Sequence, residues 1–336
     1  MRRAVRRPRG ELGAVGAGAR LTMTPRGPDF LCVGQMKAGT GWLYDQLDSH
    51  PEFRMPPVKE LRYFTVRLHS PALATLSAKA AADLAAVNRK RRRRGQRPLE
   101  ERDFDFFRRA LALQEGAREM REEAAAALAA RESLEELDWR AFTRDDLGDI
   151  EGYAALFPEP IAGDITPGYS MLSDALVSAI ARRFPELKIV LMVRDPVARA
   201  CSELAMLVRH GRVPADRLED LDAVARWLEQ LEMGERSKAS VIWRRWSEAF
   251  PHCRFFFFDD LCQRPQWLRR EIAEFLGASG EGFQQTADIN RSAAGAPPPT
   301  DLVRIAAEKL VGELDACAEV FGGPAADWRD RYRNLS

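Results

Sequence analysis

The sequence has almost no excess charge of either sign and no long hydrophobic run. Its 51 basic and 50 acidic residues leave a formal net charge of +1, so the overall charge attracts the chain neither to nucleic acid nor to an anionic membrane. No stretch approaches the roughly 20 consecutive apolar residues that span a bilayer. We therefore expect no nucleic-acid partner and no membrane span, and we predict a cytoplasmic protein.

Cysteine is scarce and irregularly spaced. The five cysteines are Cys32, Cys201, Cys253, Cys262 and Cys317, an odd number without a C-x-x-C pair. This spacing argues against a disulfide framework and against a zinc site, and it favours a reducing compartment. We expect no metal site.

The first 27 residues are basic and rich in glycine and alanine. They include Glu11 and lack the apolar core of a secretory signal, so we interpret residues 1–27 as a basic disordered tail. One domain is expected over residues 28–336, which is long enough to bury a sizeable core.

Short apolar runs alternate with helical patterns along this domain. Buried strands are predicted at 29–34, 188–193 and 254–258, and further strands at 61–64 and 162–165. Asp195 and Pro196 suit the N-cap and first position of a helix, and Gly322 suits the end of a C-terminal helix. Strands separated by helices predict an α/β fold with a mainly parallel sheet.

Between about residues 68 and 148 the composition shifts to alanine, arginine, glutamate and leucine. Phe104, Phe107 and Leu111 recur at the spacing of an amphipathic helix, so a helical insertion is predicted. It contains the run RKRRRR at 89–94, continued by Arg97. Because no aromatic residue interleaves with the run, we interpret it as a solvated helix or loop, with an acidic acceptor or partner as the alternative.

The strongest local signal is the segment GQMKAGTG at 34–41, between a predicted strand and a predicted helix. Small residues let backbone N–H groups close around an anion, and the helix N-terminus adds partial positive charge. A tight turn without a ligand is the alternative. The ATP- or GTP-binding loop G-x-x-x-x-G-K-[ST] does not match, because Thr40 replaces its lysine and Gly41 its magnesium-binding hydroxyl.

Five segments resemble motifs of the sulfotransferases that use 3′-phosphoadenosine 5′-phosphosulfate (PAPS), and they follow one another along the chain in the order expected for that family. The segment KAGTGW at 37–42 resembles their 5′-phosphosulfate loop. Arg194 at a strand end, with Ser202 eight residues on, resembles their 3′-phosphate motif. PVKELRYF at 57–64 and GDITPGY at 163–169 resemble segments of the glycan-sulfating branch, and NRS at 290–292 a late loop that closes over the nucleotide.

This resemblance implies both a fold and an activity. The fold would be a three-layer, P-loop-like α/β fold in which helices flank a central, mainly parallel sheet. The activity would be transfer of a sulfuryl group from PAPS, without a metal, to a hydroxyl of a carbohydrate, lipid or small metabolite. A phosphotransferase such as a nucleotide kinase, and a non-catalytic phosphate-binding module, are the alternatives that the loop alone leaves open.

The resemblance also implies roles for single residues. Lys37 would neutralise charge on the bridging oxygen of the donor, Arg194 and Ser202 would bind the 3′-phosphate, and Glu60 would be the general base. The other donor-binding positions would be Ala38, Gly39, Thr40, Gly41, Trp42, Asn290, Arg291 and Ser292, with Trp42 stacking on adenine. The alternatives are a core role for Trp42, an ion pair of Arg194 with Asp195, and His50 or His69 as the base.

Two positions depart from the family pattern. Ile165 stands where the glycan-sulfating branch has a lysine, which weakens the case for a sulfated polysaccharide as acceptor. Gly41 replaces a second loop hydroxyl, which we expect to reduce donor affinity modestly.

Overall fold

A parallel four-stranded sheet lies at the centre of the part of the chain that the structure describes. The structure, a computed structural model, describes residues 25–65, 71–116, 147–283 except 212, 215–217, 219 and 230, and 298–335. The strands pair in the order β2-β1-β3-β4, all parallel. They are β1 (Phe30–Gly34), β2 (Gly163–Ile165), β3 (Lys188–Val193) and β4 (Cys253–Phe257).

Helices connect and cover these strands. Within the described residues the α-helices are α1 (Thr40–Ser49), α2 (Pro71–Ala82), α3 (Leu84–Arg93), α4 (Glu101–Gly116), α5 (Ile150–Ala154), α6 (Asp174–Arg183), α7 (Pro196–Arg209), α8 (Leu221–Glu229), α9 (Leu231–Ser237), α10 (Ala239–Ala249), α11 (Phe258–Gln263), α12 (Pro265–Leu276), α13 (Thr300–Lys309) and α14 (Val311–Phe321). Short 3₁₀ helices span Pro167–Met171, Gly323–Asp327 and Asp330–Leu335. No helix of the described ranges is long and apolar enough to cross a membrane.

Alternate side chains of the strands enter two hydrophobic cores, one on each face of the sheet. Leu31 and Val33 belong to a core that also receives helices α6, α7, α10, α13 and α14. Phe30 and Cys32 belong to the second core, which is formed mainly with helices α1 and α12. Because side chains alternate across a strand, both faces of the sheet are covered. The arrangement confirms the predicted α/β class with a parallel sheet flanked by helices.

Two predicted helix boundaries are confirmed by their hydrogen bonds. The Asp195 carboxylate accepts from the backbone N–H groups of Val197, at 3.0 Å, and Ala198, at 3.3 Å, and Pro196 opens α7. Helix α14 ends at Phe321, and Gly322 follows with a φ of 60°, a conformation that glycine adopts at little cost. Both signals depend on local chemistry, which explains why they can be recognised in the sequence.

The strand predicted at 61–64 is wrong. Residues 57–64, which we call the strap, lie against β2 and the 3₁₀ helix that follows it, but their N–H groups bond mainly to side chains. Leu61 N donates to Asp164 Oδ1 at 3.4 Å, and Tyr63 N to Tyr169 Oη at 2.9 Å. Glu60 and Arg62 also have φ values of 65° and 59°, which interrupt an extended backbone.

The described part of the insertion is helical, as predicted. Helices α2, α3 and α4 occupy it, and Phe107 on α4 is buried in the first core while Phe104 and Leu111 pack against that core. Residues 117–146 lie outside the described residues. The insertion helices therefore share a core with the sheet rather than forming a separate one.

The arginine run is only partly solvated, which corrects the prediction. Arg91 is buried, and its guanidinium pairs with the Asp48 carboxylate of α1 at 2.8 Å and donates to the Pro57 carbonyl at 3.1 Å. Arg97 is half-buried and pairs with Asp103 at 2.6 Å. The remaining members of the run, Arg89, Lys90 and 92–94, are exposed. One helix face thus attaches α3 to α1 and to the start of the strap.

Candidate donor and acceptor site

The predicted phosphate loop lies at the carboxyl edge of the sheet, between β1 and α1. Gly39 immediately precedes α1 with a φ of 90°, and a Cβ there would lie 2.6 Å from Leu261 Cδ1, so both backbone and space require glycine. No side chain caps the N-terminus of α1. The first N–H groups of this helix are consequently available to an anion, which the helix dipole also attracts.

Arg194 follows β3 directly and folds over the same loop. Its guanidinium donates from Nη1 to the Lys37 carbonyl at 2.7 Å, and its Cζ lies 4.3 Å from the centroid of the Phe258 ring. Its backbone N–H donates to Gln35 Oε1 at 3.1 Å. Because β1 and β3 are parallel neighbours, their ends meet at the edge where open α/β sheets bind ligands.

The alternative ion pair between Arg194 and Asp195 is absent from the described contacts. Asp195 instead caps α7, accepts from Tyr332 Oη at 2.6 Å and lies 3.5 Å from Arg331. Across the described residues, neither Lys37 nor Arg194 has a carboxylate within 4 Å. Arg194 is therefore held by a carbonyl and an aromatic ring, neither of which cancels its charge.

The electrostatics of Lys37 show a surplus of positive charge. Burial lowers the pKa of Lys37 most, and the neighbouring cations Arg209 and Arg194 lower it further. Burial also lowers the pKa of Arg194, although the Asp195 carboxylate acts in the opposite direction. Cations that repel one another in a partly buried site would be stabilised by a bound anion.

The other predicted donor residues that the structure describes lie in the phosphate loop, on α1 and on α7. Ala38, Thr40 and Trp42 are buried, and Trp42 is 8% exposed within the second core. Gly41 has open space where a Cβ would stand. Ser202 is half-buried on α7. In this structure Trp42 packs within the second core, which is the alternative considered from the sequence. Adenine stacking by Trp42 and phosphate binding by Ser202 stay predictions.

Glu60 lies between two cations of the strap. Its Oε1 is 2.6 Å from Lys59 Nζ, and its Oε2 is 2.6 Å from Arg62 Nη2. Burial acts to raise the pKa of Glu60, but Lys59 and Arg62 together lower it below its usual value. The carboxylate is thus ionised at neutral pH, which a general base requires, and both of its oxygens are engaged.

Comparison with known proteins decides the family. The family model described as "Sulfotransferase family" matches residues 28–281. The chain belongs to the sulfotransferase family. The resemblance identified from the sequence motifs is thereby confirmed, and transfer of a sulfuryl group is its general chemistry. No curated protein matches the sequence.

Solved structures of other sulfotransferases are similar to this one. A sulfotransferase from Alicyclobacillus acidocaldarius is 18% identical, with 90% of this chain and 98% of that chain covered, at a TM-score of 0.55. The sulfotransferase domain of the Synechococcus PCC 7002 olefin synthase is 14% identical, covering 85% and 95%, at 0.37. A Mycobacterium avium sulfotransferase is 13% identical, covering 92% and 76%, at 0.34. The first of these likenesses shows a shared fold.

Several predicted residues of this sulfotransferase are not part of the described site. Asn290, Arg291 and Ser292 lie outside the described residues, as does His69. His50 is 2% exposed just after the C-terminus of α1, where Nε2 contacts the Glu281 carbonyl at 2.6 Å and Nδ1 accepts from Glu52 N at 3.2 Å. Both ring nitrogens are occupied at the end of α1 opposite the phosphate loop, so this geometry does not favour His50 as the base.

Two buried polar residues in the site were not found from the sequence. Asp164 on β2 is 1% exposed, and its carboxylate accepts from Tyr169 Oη at 2.6 Å, Thr166 Oγ1 at 2.8 Å and Tyr153 Oη at 3.3 Å. It fixes the strap that carries Glu60. Gln35 in the phosphate loop is the other. Asp164 belongs to the matched segment at 163–169, but the sequence of that segment does not show that its carboxylate is buried.

Proposed function

We propose that this sulfotransferase moves the sulfuryl group of PAPS to the hydroxyl of a carbohydrate, lipid or small metabolite. The observation that carries the proposal is the pair of cations, Lys37 and Arg194, which lie at the carboxyl ends of β1 and β3 and have no carboxylate partner among the residues that the structure describes. PAPS bears anionic groups at both its 5′ and 3′ ends, so its charge complements this surplus.

On the donor side, each group suits one part of that ligand. The first N–H groups of α1 and the Thr40 hydroxyl suit the 5′-phosphate, because that helix has no side-chain cap. Arg194 suits the 3′-phosphate, since a guanidinium forms paired, charge-assisted hydrogen bonds to phosphate. Ser202, on the helix that follows Arg194, would add a hydroxyl. Gly41 supplies no hydroxyl, in keeping with a loop that does not bind Mg²⁺–nucleotide.

On the acceptor side, Glu60 takes the proton of the acceptor hydroxyl. The acceptor oxygen forms a bond to sulfur while the bond from sulfur to the bridging oxygen of the donor breaks and leaves its electron pair on that oxygen. Lys37 neutralises this new negative charge, a stabilisation that is stronger in a partly buried site than in water. When bound, PAPS supplies the sulfuryl group, and the protein supplies position, charge and the base.

A transfer assay with donor labelled in its sulfate tests the proposal. The protein is incubated with PAPS and pools of carbohydrate, lipid and small hydroxyl compounds in excess EDTA, beside Lys37→Ala and a control, Lys79→Ala, on the exposed side of α2. Label should reach an acceptor with the parent and the control but not with Lys37→Ala. In a parallel reaction with labelled ATP and without EDTA, transfer that depends on Mg²⁺ would identify a phosphotransferase instead. Tight PAPS binding without transfer to any pool would identify a binding module.

A further inference from the structure

Gln35 is a fully buried polar residue in the second position of the phosphate loop. Its exposed fraction is 0%, and its backbone N–H donates to the Met192 carbonyl of β3 at 2.7 Å. A buried amide is stable only when its donors and acceptor find partners. The partners of this side chain therefore show which parts of the fold it joins.

Those partners lie on two other segments. Gln35 Oε1 accepts from Arg194 N at 3.1 Å. Gln35 Nε2 donates to the carbonyls of Arg236, at 3.2 Å, and Ser237, at 3.4 Å, at the end of α9. One amide thus joins the phosphate loop, the end of β3 and the end of α9.

The end of α9 is itself held by a buried ionic network on α7. Arg199 is 0% exposed, pairs with Glu203 at 2.6 Å and donates from Nη2 to Ser237 Oγ at 2.8 Å. Arg236 pairs with Glu203 at 3.0 Å. Networks of this kind, with their charges paired and buried, are rigid. Gln35 is therefore fixed at one end by α7 and α9, while its other end holds Arg194.

Arg194 and the phosphate loop are joined by two hydrogen bonds that run in opposite directions. The Gln35 side chain holds the backbone of Arg194, and the Arg194 side chain holds the backbone of Lys37 two residues further along the loop. Neither the loop nor the arginine can shift without breaking a bond to the other. An unsupported guanidinium would lose orientation, and a paired contact to phosphate depends on orientation.

We propose that Gln35 is the positioning residue of the donor site, which holds Arg194 for recognition of the 3′-phosphate. The proposal rests on the function proposed above. It assigns Gln35 no contact with the donor, because the side chain is buried and all its described hydrogen bonds go to protein backbone. Its effect should therefore be transmitted through Arg194.

Calorimetry with two stable nucleotides tests this role. One is 3′-phosphoadenosine 5′-phosphate, the donor without its sulfuryl group, and the other is adenosine 5′-phosphate, which lacks the 3′-phosphate. Gln35→Met keeps the length of the side chain but removes its hydrogen bonds. We expect it to weaken the first nucleotide about tenfold, the worth of one charge-assisted contact, and the second less than twofold. In an Arg194→Ala background, Gln35→Met should cost the first nucleotide little more.

The outcomes separate the two proposals. If the parent binds both nucleotides equally, the proposed function fails whatever Gln35 does. If the parent discriminates but Gln35→Met weakens both nucleotides equally, or adds its full loss to that of Arg194→Ala, the positioning role is wrong. Should Gln35→Met not fold, Gln35→Asn is used, which keeps an uncharged amide but is one methylene too short to reach Arg194 N and α9 together. It should again weaken the first nucleotide more than the second.

Discussion

The proposed donor half of the site, around Lys37 and Arg194, and the proposed acceptor half, around Glu60, treat charge in opposite ways. In the donor half, the cations Lys37 and Arg194 lie near each other without a carboxylate in the described contacts, and burial, followed by the charges of Arg209 and Arg194, lowers the pKa of Lys37. In the acceptor half, the Glu60 carboxylate is neutralised on both sides by Lys59 and Arg62. The donor half would thus gain from an anion supplied by a ligand, whereas the carboxylate of the acceptor half already has its cations.

This difference indicates where the binding energy of each substrate arises. An anionic donor would gain from cations that have no carboxylate partner in the described part of the chain. On the proposed assignment, an acceptor hydroxyl would find the Glu60 carboxylate already ionised and oriented, and it would have to compete with a cation for one of the Glu60 oxygens. We therefore expect donor binding to be more sensitive to charge-removing substitutions than acceptor binding, and catalysis to be most sensitive at Glu60.

The largest effect is expected for Glu60→Gln, which keeps the shape but removes the proton acceptor. Removing a general base lowers the rate roughly 10²–10⁴-fold, and PAPS affinity should stay within about twofold because Glu60 is not assigned to the donor. Steady-state kinetics and calorimetry measure the two. Glu159→Gln is the matched control, since Glu159 also pairs with two cations, Arg54 and Arg102, but belongs to none of the matched segments. A rate within about threefold of the parent would show that Glu60 is not the base.

Arg91 anchors the start of the strap that carries Glu60, and it has no assigned part in the reaction. Arg91→Ala leaves the buried Asp48 carboxylate without its closest cation, and breaking a buried pair in this way costs about 3–5 kcal/mol of the free energy of unfolding. Urea denaturation measures the loss. Arg92→Ala, the exposed neighbour on α3, should change stability by less than about 0.5 kcal/mol. Equal stabilities of the two variants would show that the Arg91 pair contributes nothing.

These residues show why the fold could be predicted further than the site. Strand β3 and the cap of α7 are encoded by neighbouring residues, a continuous apolar run and an Asp-Pro pair, and both predictions are confirmed. The strap is shaped instead by side chains about a hundred positions away, Asp164 and Tyr169. Its extended pattern therefore predicted a strand that does not form.

The same limit applies to polar residues whose burial depends on tertiary packing. Arg91 is one of five arginines in a run of six residues, and only the orientation of α3 against α1 distinguishes it from its solvated neighbours. Gln35 stands at a position of the loop to which the family motif assigns no role. Lys37 and Arg194 could be selected because the motifs mark them, but their shared contact required the parallel pairing of β1 and β3.

A moderate effect is expected when the surplus charge of the donor half is reduced. Arg194→Ala should weaken PAPS at least tenfold, because a charge-assisted hydrogen bond contributes about 1.5–3 kcal/mol. It should barely change the binding of adenosine 5′-phosphosulfate, which has no 3′-phosphate to lose the contact. Competition binding with both ligands measures the difference. Equal losses for the two would mean that Arg194 acts through the fold or the 5′ side.

The smallest effect is expected in the pH dependence of the acceptor half. Because Lys59 and Arg62 outweigh burial and lower the pKa of Glu60, the Glu60 carboxylate keeps its charge as the pH falls and loses it only below the ordinary glutamate pKa of about 4.3. The acid limb of kcat should lie below that value in the parent. Arg62→Ala removes one of the lowering charges, while Lys59 stays beside Glu60 and the buried Asp164 stays behind the strap, so the limb should move to higher pH.

Arg108→Ala, which changes an exposed ion pair on α4, should leave the acid limb in place. The profiles are compared over the range in which circular dichroism shows each variant folded. An acid limb that Arg62→Ala does not move would mean that Glu60 does not set it. The pairing of Glu60 with Lys59 and Arg62 would then have no part in the reaction.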